Sequence, residues 1–114
     1  MYERNVSLLL MDIFDAINNI LLFTKEIDFE TFSLNLQVKH AVNYNFTIIG
    51  EASSKFPKDY RDLHPEVEWK NLKDFRNFLV HEYFGLDDQI IWDIIKSDLN
   101  RLLIEITELL DTTK

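Results

Sequence analysis

Cysteine is absent from the 114-residue chain, which excludes disulfides, thiolate metal ligands and a cysteine nucleophile. Glycine and proline occur only twice each, which argues against a turn-rich β architecture and against disorder. Uninterrupted apolar runs are far shorter than the roughly 20 residues of a membrane-spanning helix. The first eleven residues lack the basic start and the cleavage site of a signal peptide. We therefore expect a soluble cytoplasmic protein that is not tied to a membrane.

The length is that of one domain, residues 1–114, and a hydrophobic content of 46% is enough to form a core. The net charge of −8 is unfavourable for binding to nucleic-acid phosphates. The acidity is uneven, however, because residues 39–76 carry seven Lys/Arg and six Asp/Glu, whereas the remainder carries five and fourteen. A locally neutral or basic face is compatible with this distribution, and charge by itself does not indicate a nucleic-acid partner.

Apolar spacing predicts four main helices, at about residues 5–25, 30–55, 66–84 and 88–111. The first and last helices carry stripes that step by four, three, four and three residues, which is typical of one buried helix face. These stripes are Val6, Leu10, Ile13, Ile17 and Ile20, and Ile95, Leu99, Leu102, Ile106 and Leu109. We therefore predict an all-α fold, an antiparallel bundle of four to five helices.

Local signals predict where the helices begin and end. Asp28 is a candidate N-cap for the second helix, and Asp87 for the fourth. Gly50 lies inside the second helix, where glycine costs about 1 kcal/mol relative to alanine, so it indicates a close approach between helices. Pro57 ends that helix, and residues 58–65 are predicted to be a polar connection. Gly85 is a stop signal for the third helix, and Trp69 and Trp92 are predicted core or interface anchors.

The third helix contains Arg76-Asn77-Phe78-Leu79-Val80-His81-Glu82-Tyr83. Arg76 and Tyr83 are seven residues apart and share one stripe, and Asn77 and His81 are four apart and can touch. Arg76 and His81, five residues apart, point about 140° away from each other around the axis. Either the helix end is distorted, or a second copy of the helix completes the site. The second possibility predicts a two-fold homodimer with two Arg and two His around one cleft.

An arginine, four residues, a histidine, one residue and a tyrosine form the signature of HepT-like proteins of the HEPN superfamily, and the resemblance covers nearly the whole chain. The matching segments are Pro65-Glu66-Val67-Glu68-Trp69, Arg76-Asn77, His81-Glu82-Tyr83-Phe84-Gly85-Leu86-Asp87, Trp92, Ile49-Gly50-Glu51-Ala52 and Asp28-Phe29-Glu30-Thr31-Phe32. The chain departs from the family before Ala41-Val42, where Gln37, Lys39 and His40 replace the Asp and Thr that are common there.

The resemblance implies a HEPN-type bundle and metal-independent cleavage of RNA, with no cofactor. RNA supplies its own nucleophile, the 2′-hydroxyl, so the enzyme needs a proton acceptor and a cation for the phosphorane. His81 can exchange protons near neutral pH, and Arg76 offers a planar, permanently charged fork for phosphate oxygens. Asn77 would orient the imidazole or donate to the phosphate. Arg76 and His81 are thus the predicted catalytic residues, and Asn77 supports them.

Tyr83 is implied to have a regulatory role. HepT-like toxins are typically encoded with a minimal nucleotidyltransferase antitoxin, which would transfer AMP from ATP to this tyrosine. The added phosphate and nucleoside would occupy Arg76 and repel RNA. The implied partners are therefore RNA, a cognate nucleotidyltransferase and a second copy of the chain.

Other interpretations remain open. His81 alone is compatible with a structural histidine, Arg76 with an ion pair to Glu82 of a partner helix, Asn77 with a solvated position, and Tyr83 with packing at the helix end. The whole chain is also compatible with a non-catalytic helical partner of a nucleotidyltransferase, or with a purely structural dimerisation bundle.

Residues outside the motif give weaker signals. His64 is predicted to be solvated, and the three dispersed histidines have no metal-ligand spacing. No glycine-rich loop for phosphate is present in the sequence.

Overall fold

The computed structural model describes the backbone of residues 2–82 and 88–113, and the side chains of residues 5–76 and 88–112. Within these ranges the chain is helical and contains no strand, so the predicted all-α bundle is confirmed. Along the chain the helices are α1 Tyr2–Thr24, α2 Phe29–Leu34, α3 Leu36–Ser54, α4 Lys58–Leu63, α5 Trp69–Glu82, α6 Asp88–Asp93 and α7 Leu99–Thr113, with a π-helical segment, Ile94–Asp98, between the last two.

Helix α1 packs against α3 and α7. Its whole predicted stripe is buried, with Ala16 added to it, and every residue of the stripe on the last helix is buried as well. By length and composition, Asn5–Thr24 would be long and apolar enough to cross a membrane. In this structure its apolar stripe is buried against α3 and α7, as in a core helix of a bundle.

The predicted second helix is two helices, and the single helix over residues 30–55 was a wrong prediction. Asn35 adopts extended backbone angles and ends α2, and its side chain accepts a hydrogen bond from the backbone N–H of Val38 at the start of α3. A side-chain amide that replaces an intrahelical acceptor favours a helix boundary over a helix interior. Asp28 caps α2 as predicted. Its carboxylate accepts a hydrogen bond from the backbone N–H of Thr31, and this bond lowers the pKa of the Asp28 carboxyl group.

The segment predicted to be a polar connection also contains a helix. Helix α4 begins after Pro57, and its exposed face carries an ion pair between Lys58 and Asp62 at 2.9 Å. Its other face buries Tyr60, whose ring stacks on Phe56 at a centroid distance of 5.6 Å. Polar composition therefore hid a short helix that is held in place by one aromatic side chain.

The remaining helix ends agree in part with the predictions. Helix α5 begins at Trp69, a few residues later than predicted, and its predicted end and the Gly85 stop lie outside the described residues. The last helical run begins at Asp88 as predicted, although Asp87 as its cap also lies outside them. Its regular winding changes at the π-helical segment, where the N–H of Leu99 donates to the carbonyl of Ile94. Trp69 and Trp92 are both buried, as predicted.

Candidate active site

Helix α5, which carries the motif, is held mainly by α3. The ring of Phe75 on α5 meets the ring of Phe46 on α3 edge to face, with centroids 5.1 Å apart. Leu72, one turn earlier, packs on the same core and is half-buried. Because these apolar contacts lie directly before Arg76, they fix the rotation of α5 about its axis at the start of the motif.

Arg76 on α5 packs against α3 at Gly50. A Cβ atom built on Gly50 would come within 3.2 Å of the Arg76 Cα and would overlap the Arg76 Cβ and Cγ. Since even the backbone of α5 is inside the space that a side chain would need, only glycine allows this approach. The close approach indicated by Gly50 in the sequence is confirmed, and the residue that it accommodates is the predicted catalytic arginine.

Arg76 is half-buried, and its packing on Gly50 restricts the conformations of the aliphatic part of its side chain. Fixing the stem lowers the conformational entropy that the guanidinium would lose when it binds an anion. The backbone of α5 is α-helical through both Arg76 and His81. An α-helix keeps positions five apart about 140° apart in angle and about 7.5 Å apart along the axis.

The side chains of Asn77 and His81, and all of Tyr83, lie outside the described residues. The roles predicted for these three residues therefore remain predictions. The described backbone nevertheless places positions 77 and 81 one helical turn apart on α5, which is the arrangement that the motif requires.

The chain is also anchored where it resumes after the motif. Lys39 on α3 donates to the Asp88 carboxylate at 2.9 Å and to the carbonyl of Ser33 at the end of α2, at 3.2 Å. Both charged side chains are largely covered, with 21% of Lys39 and 30% of Asp88 exposed. Lys39 thus links α3 to the end of α2 and to the start of α6. Asp88, at the start of α6, lies six residues after Glu82, the last residue of α5.

Aromatic packing reinforces this anchor. The ring of Trp92 on α6 lies 5.2 Å from that of Phe32 and 6.3 Å from that of Phe29, both on α2. The ammonium group of Lys96 lies over the Trp92 ring, 4.6 Å from its centroid, a favourable cation–π geometry. The segment that contains Tyr83 is therefore connected to fixed elements on both sides, α5 on α3 and α6 on α2.

Sequence reasoning missed two lysines near the motif. Lys39 belongs to the stretch that departs from the family pattern, and its ion pair with Asp88 spans 49 positions, so no local signal indicated it. Lys73 is exposed on α5 and lies three residues before Arg76, which puts both cations on one edge of the helix. The i, i+3 spacing could have identified Lys73 as a second cation beside the motif.

The other two histidines lie on other elements of the bundle. His40 is exposed on α3. His64 was predicted to be solvated, but it is half-buried at the end of α4, with its ring 4.6 Å from that of Tyr60 and its Nδ1 3.4 Å from the Glu66 carboxylate. Among the residues that the structure describes, no group of three or more His, Asp or Glu side chains is arranged to hold a metal ion.

Comparison with known proteins agrees with this architecture. The family model described as "Ribonuclease HepT-like" matches residues 13–109. A protein of Methanocaldococcus jannaschii named "Putative RNase MJ1380" is 39% identical over 93% of this chain and 97% of its own length. The "Probable ribonuclease HepT" of Thermococcus cleftensis is 42% identical over 82% of this chain and 84% of its own. No solved structure gives a significant match.

The all-helical bundle of the described residues agrees with the class of HEPN-type domains. Within that class, the chain belongs to the HepT-like ribonuclease family.

Proposed function

We propose that the protein is a metal-independent endoribonuclease whose catalytic residues are Arg76 and His81, supported by Asn77. The observation that carries the proposal is the seat of Arg76 on Gly50, which holds a permanently charged fork at a fixed place on the motif helix. Membership in a family described as ribonuclease, and relatives named as RNases, support the same activity.

The proposed reaction uses the nucleophile that RNA contains. The His81 imidazole takes the proton of the 2′-hydroxyl, the 2′-oxygen forms a bond to the adjacent phosphorus, and the bond from phosphorus to the 5′-oxygen breaks. The leaving 5′-oxygen takes a proton from an imidazolium, and the products are a 2′,3′-cyclic phosphate and a 5′-hydroxyl. Arg76 stabilises the negative charge that builds up on the phosphorane oxygens.

A two-fold homodimer would solve the geometric difficulty of the single helix. Arg76 and His81 project about 140° apart on one α-helix, so a ribose–phosphate junction is served better by the arginine of one copy and the histidine of the other. Two imidazoles in one cleft would also allow one to accept the 2′ proton while the other donates to the leaving group. Lys73, exposed beside Arg76, would add a phosphate contact at the edge of that cleft.

We further propose that the protein is the toxin of a toxin–antitoxin pair and that Tyr83 is its switch. In this scheme the tyrosine oxygen attacks the α-phosphorus of ATP on a nucleotidyltransferase antitoxin, pyrophosphate leaves, and AMP stays on Tyr83. By its spacing in the sequence, Tyr83 shares the helical stripe of Arg76, so the new phosphate would compete with RNA for the arginine. The motif spacing, an arginine and a tyrosine seven residues apart within the family signature, supports this proposal.

A second candidate function is a non-catalytic helical partner of a nucleotidyltransferase. The net charge of −8 favours it, because most of the surface repels RNA. In that case the motif would be a docking and modification site, and the purified chain would not cleave RNA under any condition.

The test compares the purified wild-type chain with Arg76→Ala and His81→Ala on labelled RNA in the presence of EDTA. We expect cleavage by the wild type to 2′,3′-cyclic phosphate ends, and a loss of at least about 100-fold in each variant, since each removes a proton-transfer or charge-stabilising group. Arg101→Ala, which removes the same kind of side chain as Arg76→Ala from an exposed position on α7, serves as a matched control.

Three outcomes would contradict parts of the proposal. Undiminished cleavage by the Arg76→Ala/His81→Ala double variant would remove the catalytic assignment. Loss of wild-type cleavage on adding EDTA would remove the metal-independent mechanism. Unmodified Tyr83, measured by mass spectrometry after full inhibition by the nucleotidyltransferase and ATP, would leave simple occlusion as the neutralising mechanism.

A further inference from the structure

A groove runs along the side of α5 that faces α7. It encloses about 330 Å³ and reaches from α5 across to the π-helical segment and α7, with α3 as its floor. Each of these elements contributes apolar side chains to the lining: Phe46, Ile49, Leu72, Phe75, Ile94, Leu99 and Leu102. Apolar surface of this kind, in a concave site between helices, is typical of a binding groove.

The rim of the groove is acidic. Glu68, Asp74, Asp98 and Glu105 line it together with one cation, Arg101. Arg101 is engaged by Glu68, with Nη2 2.8 Å from the carboxylate, and Asp74 is engaged by Lys70, which lies one turn before it on α5. Asp98 and Glu105 have no ion-pair partner among the residues that the structure describes, so they give the mouth of the groove its charge.

Glu105 is partly buried and lies near other carboxylates and near Arg101. Partial burial raises the pKa of its carboxyl group. The nearby carboxylates of Glu68, Glu66 and Glu108 act in the same direction, and the Arg101 guanidinium acts against them. A cation from outside the chain would relieve this repulsion, and an anion would increase it.

The groove also coincides with the one irregular turn of the last helical run. Ile94 and Asp98, which begin and end the π-helical segment, both line it, as does Leu99, whose N–H closes the wide turn. Single π-turns inserted in α-helices cost regular hydrogen bonding and are common at functional sites. Here the wide turn places an apolar and an acidic side chain in the groove wall together.

We propose that this groove binds a basic amphipathic helix of a partner protein, with the partner's apolar residues on the floor and its Lys or Arg residues against Asp98 and Glu105. The groove residues span 68–75, at the start of α5 and just before it, and 94–105 on the last helical run, or roughly 10 and 16 Å at the rise of a helix. This length matches about two to three turns of a partner helix, as in other helix-in-groove complexes.

The charge argues against two other occupants. A two-fold interface between copies of this chain through the groove would set one acidic rim against the same acidic rim. RNA phosphates would meet Asp98 and Glu105 instead of the cations on the other side of α5. The groove is therefore separate from the proposed RNA-binding edge, and the partner that fits it is a cationic protein segment.

The test uses a synthetic peptide of about 14 residues, near the length at which isolated helices become stable, with leucines on one face and lysines on the other. Binding of the labelled peptide to the wild-type chain is measured by fluorescence anisotropy. A peptide with glutamate for lysine, and one with the same composition but a scrambled order, are the probe controls. We expect saturable binding of the amphipathic basic peptide only, weakening as salt is added.

The protein variants decide where the peptide binds. Asp98→Lys/Glu105→Lys should weaken binding by at least about tenfold, and Phe75→Ala should weaken it with no change of charge. Asp12→Lys/Asp15→Lys makes the same change of net charge on the exposed side of α1 and should leave the affinity within about twofold of wild type.

Three results would overturn the proposal. The first is equal loss of affinity in both double variants, and the second is equal binding of the scrambled peptide; either would mean non-specific attraction to an acidic protein. The third is a change of oligomeric state in Asp98→Lys/Glu105→Lys, seen by sedimentation velocity, without peptide binding to the wild type, which would assign the groove to a second copy. RNA cleavage by the same variants is a separate readout, so the ribonuclease proposal can fail while this one holds.

Discussion

Helices α1 and α5 are both amphipathic, but the bundle uses them differently. α1 buries a complete stripe, and Val6, Leu10 and Ile13 have no solvent exposure at all. Among the α5 side chains that the structure describes, residues 69–76, only Trp69 is buried, whereas Leu72, Phe75 and Arg76 are half-buried. The helix packs chiefly on α3. The comparison teaches that the two helices differ in their share of the core: α1 buries a whole face in it, whereas α5 leaves two edges accessible.

The two edges of α5 differ in charge. One carries Lys73 and Arg76, the cations proposed to meet RNA, and the other borders the acidic groove, with Glu68 and Asp74. One helix could therefore serve an anionic substrate and a cationic partner at the same time without competition between them. Such separation is economical in a chain of 114 residues, in which few helices can be spared from the core.

The largest effect should come from cutting the core stripe of α1. Ile13→Ala is expected to cost about 2–5 kcal/mol, because it removes fully buried methyl groups and leaves a cavity. Leu72→Ala on α5 removes a similar side chain from a half-buried site and should cost about 1 kcal/mol. Urea unfolding of both variants measures the difference. Equal losses would mean that α5 belongs to the core as fully as α1 does.

A smaller loss of stability, with a larger loss of activity, is expected for Gly50→Ala. Alanine gains about 1 kcal/mol of helix propensity, but its Cβ overlaps Arg76 and forces α5 away, at a cost of roughly 1–3 kcal/mol. The net change in stability should be modest, while RNA cleavage falls strongly because Arg76 moves with α5. Ser54→Ala, an exposed change on the same helix, is the control. Full activity in Gly50→Ala would show that the seat of Arg76 is not required.

Removing the Lys39 anchor should have an intermediate to small effect on stability. Lys39→Met keeps the aliphatic stem but loses the ion pair to Asp88 and the bond to Ser33, which we expect to cost about 1 kcal/mol, between the values for exposed and buried pairs. Lys58→Met breaks an exposed pair with Asp62 and should change little. Thermal unfolding compares the two. Exchange of backbone amides in α6 should also rise in Lys39→Met, and unchanged protection there would contradict the anchoring role.

The smallest effect concerns Glu105 in the groove. Because its pKa is raised in the folded state above the ordinary value of 4.5, its contribution to stability is present below the unfolded pKa and is lost as pH rises through the folded pKa. Glu105→Gln removes that penalty at neutral pH. We expect a slightly higher Tm for the variant at pH 7, within the roughly 0.5 kcal/mol typical of surface positions, and a smaller difference near pH 3.5. A difference independent of pH would contradict the raised pKa of Glu105.

Much of the fold could be predicted from local patterns, and the failures have specific causes. Two heptad-like stripes predicted α1 and the last helical run, since a buried face repeats with the helical period. The break at Asn35 was missed because the apolar positions on its two sides continue the same period, and only the side-chain cap reveals the boundary. Helix α4 was missed because its exposed face is polar and one buried ring, Tyr60, holds it.

The sequence by itself determined the helical class, the family and the identity of the motif residues, because helical period and motif spacing are properties of neighbouring positions. Only the tertiary structure decided that Gly50 accommodates Arg76, that Lys39 reaches Asp88, and that α3, α5 and α7 leave an acidic groove between them. These are contacts between helices far apart in the chain. Their positions follow from how the buried faces pack together, which no local pattern specifies.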